Sequence, residues 1–210
     1  AEGTYMPDGP PFSPLTRSYF TCWAFFDLLF GKDQETISGC IQELGQDLAI
    51  DSHLLTIIGW MQDSRMGIYE HCGVVGSEVV LRDIVDDRPF HSYIPTGYLG
   101  KPGQLWFVRL LPPLPGYGYH VAFTTPYILM SSKEEWLAFL QRTIPLIKGP
   151  WRPRPVTEAM HDILKHGLDA HYWLEYIALA YIGAQDNAIF LSGIPDQIES
   201  LPNAVLEPEA

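Results

Sequence analysis

GIYEHCGVVGSEVVLRDIVDDRPFHSYI, residues 67–94, is the stretch in which the chain changes period. Before Gly67 apolar residues recur every three or four positions. From Ile68 they alternate: Val79, Leu81, Asp83 and Val85 share one face, and Val80, Arg82 and Ile84 share the other. That two-residue repeat belongs to strands. Gly73 and Gly76, then Asp86-Asp87, supply turns between three runs, Ile68–Val75, Glu78–Val85 and Pro89–Ile94. Two more runs follow, Leu105–Leu111 and Tyr119–Leu129, set apart by Gly97/Gly100/Gly103 and by Pro112–Gly118. No helix separates these runs, so they predict a small antiparallel barrel rather than a parallel sheet. The Pro95–Gly103 loop and the Pro112–Gly118 tip then lie on its rim.

Outward from the barrel the pattern is helical. Residues 1–17 read as an extended arm, and 18–62 as a helical subdomain. Its helices are Ser18–Phe30, closed by Gly31, a face of Ile37, Ile41, Leu44 and Leu48, and His53–Met61 with Leu54, Ile57, Ile58 and Met61 inside. Beyond the barrel (63–130), Ser132-Lys133-Glu134-Glu135 is a capping box that starts a helix through Trp136, Phe139 and Leu140 within 131–148. Pro145 stops that helix near Thr143. A Pro-rich linker over 149–156 leads to a helical segment, 157–210, with helices Thr157–Lys165 and Asp169–Ile182. A short strand over Asn187–Ser192 and a turn over Pro195–Leu201 follow. The fold class is α+β: a five-stranded antiparallel, SH3-like barrel flanked by N-terminal and C-terminal helices.

The 210 residues carry 25 Asp+Glu against 13 Lys+Arg, a formal net charge of -12. Nucleic-acid binding rests on Lys/Arg neutralisation of phosphate and is therefore not expected. The longest apolar run, Tyr19–Phe30, contains Asp27 and is shorter than the roughly 20 residues of a membrane span. Cys22, Cys40 and Cys72 form no disulfide framework and no C-x-x-C pair. With no signal-peptide pattern in view, a cytoplasmic location is expected.

One part of the chain resembles a known group. Ser64, Gly67, Tyr69 and Glu70, then Leu81-Arg82-Asp83, Pro102-Gly103, Arg109-Leu110 and Pro112 match the strand-rich region of uncharacterised bacterial proteins that often carry a C-terminal SEC-C zinc motif. The resemblance spans about residues 63–113. It implies a small barrel with no assigned activity. The SEC-C cysteine cluster itself is absent, and Gln104 stands where the group has Asp.

The charges inside apolar strands invite a chemical reading. Arg82, Asp83 and Arg109 must be paired or solvated, because an unpaired buried ion costs several kcal/mol. Two readings stand: a structural ion pair, Asp83–Arg109 or Glu70–Arg109, or a small hydrolase or transferase site in which Asp83, Arg109 and His120 converge at the barrel rim. Glu158-x-x-His161 places a carboxylate and an imidazole on one helix face, but no second such motif exists. His161, His166 and His171 are spread around the helix by their five-residue spacing, so neither a metal nor another cofactor is expected. His71 and Cys72 face opposite sides of a strand and form no dyad. No G-x-S-x-G, H-E-x-x-H, P-loop or G-x-G-x-x-G motif is present.

Aromatics are the remaining signal. Tyr93, Tyr98, Trp106, Tyr117, Tyr119 and Tyr127 gather in or beside the barrel. Tyr98, Trp106, Tyr117 and Tyr119 are the expected partner-binding residues, joined by Arg152 and Arg154 in the basic linker. The expected function is a non-catalytic protein- or peptide-binding module, gripping an extended or Pro-rich ligand, with self-association as a second kind of contact.

Overall fold

The computed structural model describes residues 14–45, 47–146, 155–168, 172–185 and 187–196. The arm up to residue 13, most of the linker with Arg152 and Arg154, His171 and the segment beyond Asp196 lie outside them. Strands β1 (Arg65–Val75), β2 (Glu78–Asp83) and β3 (Pro89–Tyr93) form an antiparallel meander. β4 (Leu105–Leu111) pairs antiparallel with β1, setting Met66 opposite Arg109 and Tyr69 opposite Trp106. β5 (His120–Ala122) then joins β4 to β3 and closes a five-stranded barrel. This closure corrects the antiparallel expectation. β5 runs parallel to β3, with Ser92 beside His120 and Tyr93 beside Val121, so the barrel is mixed. The excursion from β3 to β5 contains all of β4, which is long enough to bring the chain back in the same direction.

The single strand expected over Tyr119–Leu129 is two, β5 and β6 (Tyr127–Leu129). Pro126 lacks the N–H a ladder needs, and β4 changes partner there. Its residues Leu110 and Leu111 pair with β5, while Leu105, Trp106 and Phe107 pair with β6. The sheet continues through β8 (Ala188–Leu191) to β7 (Tyr181–Gln185). β7 takes sequence expected to finish the helix Asp169–Ile182. The β-forming pair Tyr181-Ile182 goes to the sheet beside β8.

There are six α-helices among the described residues: α1 (Pro14–Phe26), α2 (Ile37–Leu44), α3 (Ser52–Gln62), α4 (Lys133–Thr143), α5 (Val156–His166) and α6 (Tyr172–Leu179). α1, α4, α5 and α6 share a core with the sheet, and α2 and α3 pack on α1 in a separate cluster. α1 stops short of Phe30, and Gly31 (φ 69°) serves instead in the turn bridged by Phe30 and Glu35. α4 carries the expected capping box. The Ser132 hydroxyl accepts the Glu135 N–H, and the Glu135 carboxylate accepts the Ser132 N–H. In α3 only Ile58 of the expected inner face is buried; Leu54 and Ile57 are exposed. No helix among the described residues is long and apolar enough to cross a membrane.

β4 lies between two cores and is buried along its whole length. Trp106, Val108 and Leu110 point into the barrel with Tyr69, Val79, Leu81 and Phe90. Leu105 and Phe107 point outward into a helical core with Tyr19 and Trp23 of α1, Trp136 and Phe139 of α4, and Ile163 and Leu164 of α5. Two-sided burial accounts for the unbroken apolar run of this strand.

Candidate functional site

α5 crosses the end of the barrel where β1 begins and β2 ends, and charged groups meet beneath it. Asp83 shares the barrel-interior face of β2 with Val79 and Leu81 and is 1 % exposed. Arg65 Nη2 donates to Asp83 Oδ2 at 2.8 Å, and His161 Nε2 of α5 stands 3.1 Å from the same oxygen. The Val85 N–H donates to Asp83 Oδ1 at 2.8 Å. Burial alone would raise the Asp83 pKa. The hydrogen bonds from His161 and Val85, with the His161 and Arg65 charges, more than offset that and hold it below its usual value.

A second network is anchored at Ser64, the residue before β1, outside the barrel. Arg109 shares its strand face with Leu105 and Phe107, where water is excluded, and forms an ion pair with Asp27, which follows α1. Its Nη1 donates to Ser64 Oγ at 2.8 Å, and its backbone N–H donates to Thr124 Oγ1 at 3.0 Å. Burial pulls the guanidinium down to about 10, still far above neutrality, so Arg109 keeps its charge. Lys165 of α5 donates to the carbonyls of Gln62 (3.1 Å) and Ser64 (3.3 Å), and its Nζ is 4.0 Å from Asp27 Oδ1. His166 Nδ1 donates to the Asp27 carbonyl at 2.7 Å. The ammonium of Lys165 falls to about 8, chiefly through burial and then through the nearby Arg109 charge.

His161 and Lys165 are four residues apart and share one face of α5. Both line a cleft of about 570 Å³ between α5, the α3–β1 junction and the turn after β2. Asp63, Asp86, Glu158 and Asp162 also line it, together with Arg65. Acids outnumber the fixed cations, so the cleft suits a cationic rather than an anionic occupant. Its size is in the range of small-ligand sites.

On the rim, at the β3–β5 pair, three tyrosines form a ladder. Tyr93 and Tyr119 have ring centroids 6.0 Å apart, and Tyr119 and Tyr117 5.5 Å. The outer rings are open to solvent, Tyr93 at 45 % and Tyr117 at 56 %. Leu114 and Phe123 are exposed nearby in sequence.

The expected site residues are thus distributed differently from their sequence reading. Asp83 and Arg109 are both buried but pair with Arg65 and Asp27, not with each other, and Glu70 approaches Lys133. Asp83 faces the barrel interior and Arg109 the helical core. His120 packs edge-on against Phe90. The catalytic trio Asp83, Arg109 and His120 does not converge. Arg82 is exposed. Trp106, expected among the partner-binding residues, is fully buried inside the barrel, with Tyr98 packed on it at 5.4 Å. Tyr117 and Tyr119 remain at the surface side, joined by Tyr93. His71 is buried, donates to the Leu99 carbonyl and accepts the Gly73 N–H, while Cys72 is exposed. Within the basic stretch, Arg142 pairs with Asp196.

Sequence reading missed Asp27, Ser64, Arg65, Asp86 and Lys165. For Asp27 a signal existed: a lone acid in the apolar run Tyr19–Phe30 and a lone arginine in an apolar strand each need a partner, and here they are each other's. The remainder meet only through tertiary structure. Compared with family models, with curated proteins and with solved structures, the chain matches none.

Proposed function

We propose that the protein is a non-catalytic peptide-binding module that reads an extended, Pro-rich segment on the Tyr93–Tyr119–Tyr117 ladder. The observation that carries this reading is the ladder itself: three tyrosines in successive contact through Tyr119, with the two end rings partly in solvent. Aromatic grooves of this kind take polyproline II segments, which arrive already extended and lose little entropy on docking. Tyrosine adds a large rigid face and a polar tip at low conformational cost. The finer description of the barrel as SH3-like belongs to the same proposal. The β1–β2–β3 meander and the five-strand closure support it, and the parallel β3–β5 pair departs from an all-antiparallel barrel.

The test is selection of displayed peptides on the immobilised full chain, with each hit then titrated by fluorescence. Proline-rich hits are expected, with binding weakened at least about tenfold in a Tyr93→Ser/Tyr117→Ser variant, a loss of about 1.4 kcal/mol. Hits that bind the variant as tightly as the parent would sink the reading.

A further inference from the structure

The charged network under α5 leaves three donor atoms facing one another. Asp83 and Asp86 each tie one carboxylate oxygen to a backbone N–H two residues on, Val85 at 2.8 Å and Arg88 at 3.1 Å. Both Oδ2 atoms are then turned towards His161, whose Nε2 lies 3.1 Å from Asp83 and 4.0 Å from Asp86. One donor atom from each of the three residues falls within 4.8 Å of the others. Ligands held about 2.0–2.2 Å from a common ion stand roughly 3–4.3 Å apart at tetrahedral or octahedral angles, so a small inward movement suffices to meet on one ion.

We propose that Asp83, Asp86 and His161 form a binding site for a divalent transition-metal ion. The donors come from the end of β2, the turn after it and the middle of α5, and they are in place through contacts that do not involve a ligand. Asp83 keeps Arg65 on one lone pair of Oδ2 and offers the other, now directed at His161, to the ion. Arg65 and the Val85 N–H then orient that carboxylate from outside, as hydrogen-bonded neighbours do for metal ligands generally. His161 is 17 % exposed and Asp86 30 %, so the open side of the ion faces the cleft, where water completes the shell. Glu158 lies three residues before His161 on the same face of α5 and lines that cleft, a further carboxylate beside the open side. Two carboxylates, one imidazole and no thiolate favour Zn²⁺ or Mn²⁺ over Cu⁺, and the imidazole disfavours Ca²⁺. The site is independent of the tyrosine ladder.

The test is titration of the chelator-stripped full chain with Co²⁺, followed by visible absorption, and then displacement by Zn²⁺. Bound Co²⁺ is expected to shift and intensify the visible ligand-field bands relative to aqueous Co²⁺, saturating at one equivalent, and Zn²⁺ is expected to restore the aqueous spectrum and raise the melting temperature. His161→Gln and Asp86→Asn should each weaken Co²⁺ binding at least about tenfold. Asp86 makes no hydrogen bond to His161, so Asp86→Asn keeps the metal-free contact between α5 and β2 and should melt close to the parent without metal. A control, His53→Gln/His91→Gln, removes two surface histidines and should leave the titration unchanged. A Co²⁺ spectrum that stays that of the aqueous ion, or a protein-induced change that survives both site variants, would overturn the proposal.

Discussion

Asp27 and Arg109 are separated by 82 positions in sequence and meet where no water can screen them. Removing one partner leaves the other charge buried alone, so Asp27→Asn should cost about 3–5 kcal/mol. Replacing both by leucine removes both desolvation penalties and should recover most of that loss; urea melts of the two variants and the parent decide it. Lys165 makes a second, pH-dependent claim. Its ammonium has an ordinary pKa of 10.5 and titrates at about 8 in the folded chain. Between those values the unfolded state holds a proton that the folded state has released, so stability rises with pH across the window. Below about pH 8 both states are protonated and the burial penalty is felt in full. In Lys165→Met that rise should be missing, so the difference between the parent and variant stability profiles, measured from pH 7 upward, should grow between about pH 8 and 10.5. These residues also mark the limit of reading a sequence. A lone charge in an apolar run announces that it needs a partner, but only the fold says which one: the sequence leaves Asp83 and Glu70 both open as partners of Arg109, and Arg109 takes Asp27 while Asp83 takes Arg65.

At the scale of elements, signals carried by adjacent residues were legible. Ser132 and Glu135 start α4 through a reciprocal pair of hydrogen bonds, and no distant part of the chain is needed for that. Ser132→Ala should therefore cost about 1 kcal/mol, read as a shift in the denaturant midpoint with an unchanged slope. Strands β2, β3 and β4 were legible for the same reason, because alternation and turn residues are local. What escaped was decided by pairing. Pro126 divides β5 from β6 because β4 switches partners beside it, and Tyr181–Gln185 becomes a strand only because β8 offers it an edge. Trp106 does lie on the face opposite Arg109, but a strand buried on both faces has no polar side to tell which face is the barrel interior.

For the molecule as a whole, the net acidity does not describe the interior. The barrel end and the helical core each contain a cation held by a carboxylate, Arg65 with Asp83 and Arg109 with Asp27, and both are served by α5. Ser64 and Arg65, consecutive in the chain, connect the two networks where the helical subdomain passes into β1. The parallel closure of the barrel also bears on how the chain reaches this state. A hairpin can zip from its turn, but β5 cannot be added to β3 that way. β4 must first be laid against β1, across the whole meander, before β5 has a place between β4 and β3. Closing such loops loses chain entropy before the contacts that reward it exist. The meander is thus expected to form early and the closing β3–β5 seam late, so lesions at the seam should mainly speed unfolding while lesions in β1 or β4 slow folding.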